Sequence, residues 1–120
     1  MAKFLSRLVM ENASDQDDGR WVLVRPLLYQ SDIGNLQVIV PAGFQTDLAS
    51  VPRLPLAYLL TGGRANEAAV IHDFLYTTHQ VDRRTADAVL REASAVTGVP
   101  VVIRWLMWAG VRAFGWSHWK

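Results

Sequence analysis

Hydrophobic and polar positions change period about midway along the chain. "FLSRLVM" (4–10), "RWVLVRPLLY" (20–29) and "LQVIVP" (36–41) are rich in Val, Leu and aromatic residues. Turn formers separate them, "SDQDDG" and "SDIGN", in which Gly19 and Gly34 can take the positive φ of a tight turn. An antiparallel meander of three strands is expected, with Pro26 marking an edge or a bulge because it has no N–H to donate.

From Asn66 the period becomes helical. Helices are predicted over about 66–78, 83–97 and 101–114. Asn66 reads as the N-cap of the first, with Glu67 in its first turn. Ala86, Val89, Leu90, Ala93 and Val96 recur at helical spacing in the second, and Gly98 with Pro100 closes it. The fold class is therefore α+β in one domain, 1–120: a β meander over about 3–45, a loop over 46–65 and a three-helix part over 66–120. The loop, "PAGFQTDLASVPRLPLAYLLTGG" with its flanks, is too apolar for disorder, and loops of that length usually carry function.

The third helix is apolar on almost every side, and Trp105, Trp108, Trp116 and Trp119 are four of the chain's five tryptophans. Val101, Trp105, Trp108 and Arg112 share one face; Val102, Leu106, Ala109 and Ala113 share another. Such an end serves as a central core helix, as a docking surface for another protein, or as a membrane-surface anchor. Arg104 and Arg112 interrupt it, so it is not expected to span a bilayer, and "MAKFLSRLVMENA" lacks the apolar centre of a signal peptide.

Composition adds limits. Twelve Lys and Arg against eleven Asp and Glu give a net charge of +1, which offers no field for nucleic acid. There are no cysteines, so no disulfide or thiolate metal site exists. A chain without cysteine suits a reducing cytoplasm.

"AAVIHDFLY" (68–76) places two ionisable groups in an apolar run. On a helix Ala69, His72, Asp73 and Tyr76 fall at i, i+3, i+4 and i+7, a single stripe able to line a cavity. A short connection, "THQVD", makes the first two helices an antiparallel hairpin, so Asp87 can face His72. A carboxylate on one imidazole nitrogen fixes the tautomer and leaves the other nitrogen as a base. The same residues also read as a satisfied structural network. Zinc-protease spacing is absent, and no His precedes His72 to build the metal site of an HD-type phosphohydrolase. In "TDLASVPR", Ser50 and Arg53 read either as a clamp for a substrate anion or as internal ties, and Asp47 as a metal ligand or a local cap.

Two resemblances follow. "FQTDLASVPR", "AAVIHDFLY", "RRTADAVLREA" and "VRAFGW" together resemble a family of phage and prophage proteins catalogued as domain of unknown function 1353. That implies a phage or prophage origin, in the cytoplasm of a bacterial host, but no activity; a non-enzymatic virion (tail or head–tail) or assembly protein, with other phage proteins as partners of the Trp-rich helix, is the alternative to an enzyme. Separately, His72-Asp73-x-x-Tyr76 with Ala86-Asp87 is similar to the catalytic helix pair of viral-type phospholipase A2. This implies a hydrolase in which His72 activates water, Asp87 and Tyr76 support it, and Asp73 binds calcium, with a lipid surface as substrate. "YLLTGGR" stands where that family has its calcium loop but lacks the Tyr-Gly-x-Gly spacing.

Overall fold

The computed structural model describes residues 1–12, 20–46, 66–117 and 119. Within them the meander is folded over on itself. There are six short strands, β1 (Lys3–Phe4), β2 (Met10–Asn12), β3 (Trp21–Leu23), β4 (Leu27–Gln30), β5 (Gln37–Val40) and β6 (Gln45–Thr46). They form two antiparallel sheets, ordered β1-β4-β5 and β2-β3-β6. The expected first strand divides into β1 and β2, and the expected second into β3 and β4, so the three-strand meander is corrected to two sheets. Both strands turn the same corner together. Leu5 N donates to Leu28 O at 2.8 Å on one side of it, and Val24 N to Val9 O at 2.9 Å on the other. Pro26 sits at the corner, where its carbonyl accepts from Ser6 Oγ at 3.1 Å and that hydroxyl accepts from Leu28 N at 2.9 Å. The missing proline donor thus falls where the ladder is already interrupted. The expected loop starts later than 46, since Thr46 pairs with Trp21 in β6.

Side chains alternate as a half-buried sheet requires. Leu27, Tyr29, Val38 and Val40 are buried, while Gln37 and Ile39 are exposed. Three helices follow, α1 (Asn66–Thr78), α2 (Arg83–Val96) and α3 (Val101–Phe114), of which the first two meet the strands. Asn66 is the first helical residue rather than the residue before it; the preceding position lies outside the described residues. A cap the sequence reading missed is Asp82, whose carboxylate accepts from Thr85 N at 2.9 Å. At the other end Gly98 takes φ +88° and Val99 N donates to Ser94 O at 2.9 Å, closing α2 as expected. Val96 departs from its expected place in the core and is exposed.

The helices pack in chain order, α1 on α2 and α2 on α3, with α1 also against β5 and α2 against β1. Ile71, Leu75, Val89, Leu90, Ala93, Met107 and Val111 join the sheet residues in one core. A polar tie crosses it: Glu92 Oε1 accepts from Tyr29 Oη at 2.6 Å and from Ser31 Oγ at 2.7 Å. Burial and this carboxylate together raise the Tyr29 pKa, so its hydroxyl stays a donor. No helix among the described residues is long and apolar enough to cross a membrane.

Candidate functional site

The inward stripe of α1 meets the inward stripe of α2 at Asp87. His72 Nε2 lies 2.7 Å from Asp87 Oδ1, and Tyr76 Oη donates to the same oxygen at 2.5 Å. Three residues that the spacing paired across the hairpin are thus in contact. His72 and Asp87 have no exposed surface, and Tyr76 has almost none.

The other carboxylate oxygen belongs to cations from two further places. Arg112 Nη1 on α3 donates to Asp87 Oδ2 at 2.9 Å. Arg83 Nη1, one turn before Asp87 on α2, stands 3.7 Å from it. The Arg83 guanidinium also donates to the carbonyls of Val111 at 2.9 Å and Arg112 at 3.2 Å in the last turn of α3, where the Gly115 N–H shares the Val111 carbonyl. Sequence reasoning missed both arginines. Arg83 carried a local signal, its i, i+4 spacing to Asp87; Arg112 carried none, because only the return of α3 brings it near.

These contacts settle the protonation states. Burial alone would push the Asp87 carboxyl up, but hydrogen bonds from His72 and Tyr76, with charge from Arg112, hold it below its ordinary range. Burial pushes the His72 imidazole down, against the pull of Asp87. Since Arg112 already balances the carboxylate, a proton on His72 would add an uncompensated buried charge. The imidazole is therefore neutral. An ionised carboxylate only accepts, so Nε2 carries the hydrogen and Nδ1 is left with a lone pair. Nδ1 is buried and, among the described residues, has no hydrogen-bond partner, as is also true of Ser94 Oγ on α2. Burial, and then the bond to Asp87, raise the Tyr76 pKa, which keeps its hydroxyl a donor.

Packing holds the rings in place. Tyr76 lies 4.1 Å from the His72 ring and meets Trp119 edge-on at 5.1 Å, and Trp119 stacks on His79 at 3.9 Å. Gly115 follows α3 directly beneath the tyrosine. A Cβ built on it would stand 2.6 Å from Tyr76 Oη and 3.2 Å from Arg83 Nη1. Gly115→Ala should therefore lower stability by about 1–3 kcal/mol, because a rigid ring fixed by Asp87 cannot step aside. A melting curve unchanged from wild type would contradict that packing.

Asp73 points elsewhere. It is half-buried and borders a cleft of about 300 Å³ with Arg20, Gln45, Thr46 and Thr77. Among the described residues no group of three His, Cys, Asp or Glu is placed to hold a metal. Arg20 on the wall of that cleft is also the wrong charge for a calcium shell of six to eight oxygens. Asp47, Ser50, Arg53 and the "YLLTGGR" segment lie outside the described residues.

A family model described as a protein of unknown function, DUF1353, matches residues 21–111. The chain belongs to this family. The match runs from β3 to α3 and so takes in His72, Tyr76, Asp87 and Arg83, ending one residue before Arg112. No curated protein and no solved structure matches this DUF1353 chain.

Proposed function

We propose that this protein is a hydrolase, phage-encoded, in which His72 Nδ1 takes the proton of a water molecule and Asp87, held by Tyr76, positions the imidazole. One observation carries the reading. In a purely structural network nearly every buried polar atom finds a partner. Here Asp87 is saturated while His72 Nδ1, an acceptor by tautomer, has none among the described residues. Phospholipid is the proposed substrate class, on the likeness of the helix pair to viral-type phospholipase A2. The described donors do not by themselves fit calcium, so no step is routed through it. Asp73 and Asp47 are its proposed ligands, and Ser50 and Arg53 the proposed anion contacts.

A second reading rests on the complete enclosure of His72. It makes the protein a non-enzymatic virion or assembly component in which Asp87 joins three helices. Fatty-acid release from phospholipid vesicles, with calcium and with a chelator, separates the two. The hydrolase reading expects release by wild type and a fall of about 10²–10⁴-fold in His72→Gln. Equal rates in both, or no release by wild type from any phospholipid class, would remove the enzyme. A variant that then melts early without any lost activity would favour the structural role.

A further inference from the structure

Among the described residues nothing covers the outward arc of α3. Met107 and Val111 are the buried residues of this helix, while Val101, Val102, Trp105 and Leu106 are each about half exposed or more. With exposed Ala109 and Ala113 they occupy adjoining positions on one side, which Arg112 shares with its guanidinium turned to Asp87. Phe114 and Trp116 extend the apolar surface past the helix end, 73% and 68% exposed.

Cations border this arc. Arg91 of α2 lies over the rings of Trp105 at 4.2 Å and Trp108 at 5.3 Å. Arg104 is on α3 itself, and no Asp or Glu occurs in the sequence after Glu92. Glu92 is itself turned inward to Tyr29 and Ser31. Arg91 and Arg104 thus stand beside this apolar surface, while Arg112 spends its charge on Asp87.

We propose that α3 lies in the surface of an anionic bilayer, its apolar arc among the acyl chains and Arg91 and Arg104 at the lipid phosphates. Three features match this occupant: an apolar arc with no acidic residue, tryptophan where an interfacial helix needs an amphipathic ring, and a helix that does not span. A second copy of the chain fits poorly, since pairing the two arcs would bring like-charged borders together. The assignment does not depend on His72 being catalytic.

Flotation of the full chain with phosphatidylglycerol vesicles, and with phosphatidylcholine vesicles as the neutral comparison, tests it. The wild type should float with the anionic vesicles, shift its tryptophan emission to the blue and dissociate as salt rises. Leu106→Glu should weaken partitioning roughly tenfold or more with the melting temperature kept, because the side chain already faces water. Val102→Glu repeats the test if that variant does not fold. No binding to anionic vesicles, or binding that both variants leave unchanged, would overturn the proposal. So would a wild-type dimer in sedimentation that Leu106→Glu disperses while vesicle binding is absent.

Discussion

Asp87→Asn should destabilise the protein by about 3 kcal/mol, the lower end of the cost of stranding one member of a buried ion pair. The carboxylate is wholly buried, and its two oxygens serve His72, Tyr76 and Arg112. Asparagine keeps the shape and one acceptor, but its amide nitrogen would oppose the Arg112 guanidinium donor to donor. The low end applies because the Arg112 side chain is 32% exposed and can recruit water. Denaturant unfolding measures the loss; a change below about 1 kcal/mol would mean that the cations do not depend on Asp87.

The same substitution has a pH signature. The folded pKa of Asp87 is below its ordinary value of 3.8, so its contribution is full above that pH and is lost as pH falls through the folded value. The His72 pKa is also lower in the folded protein than its ordinary 6.5, so below about 6.5 the unfolded chain binds a proton that the native one refuses. Both effects make acid destabilising, in two stages. Asp87→Asn should erase the more acidic stage and keep the one that begins near 6.5.

Glu92→Ala should cost about 2–4 kcal/mol without touching any chemistry at His72. It leaves the hydroxyls of Tyr29 and Ser31 without their acceptor, each in a buried residue, and an unpaired buried polar group costs about 1–3 kcal/mol. The Asp32 N–H, 3.2 Å from the other carboxylate oxygen, is at the surface and adds little. Thermal unfolding gives the loss, and the vesicle assay gives the contrast. Retained hydrolysis in folded Glu92→Ala beside lost hydrolysis in His72→Gln would separate scaffold from site. Loss in both would tie activity to stability alone.

How much of this was legible depended on the range of the interactions. The helices were, because their signals are local: the 3.6-residue period, Gly98 and Pro100. So was the contact of His72 and Tyr76 with Asp87, because a short connection fixes the hairpin. The division of the meander was not, since "RWVLVRPLLY" keeps its apolar character through the corner and only Pro26 marks it. Arg112 was read as part of an apolar face, and no local pattern indicates that its head group turns back to a carboxylate 25 residues earlier. The enclosure of His72 was hidden too, for helical spacing says which residues share a stripe and not what lies over it.

Arg83 gives α3 a mechanical property. The helix begins straight after the tight closure at Gly98 and Val99, where Arg104 Nη1 holds the Val99 carbonyl at 3.3 Å. It ends with Arg83 gripping the carbonyls of Val111 and Arg112. The helix is thus joined to α2 at both ends, by the tight turn at its start and by Arg83 at its finish. Its tryptophan-bearing side keeps one bearing in space, so a surface that meets it also sets the attitude of the whole molecule.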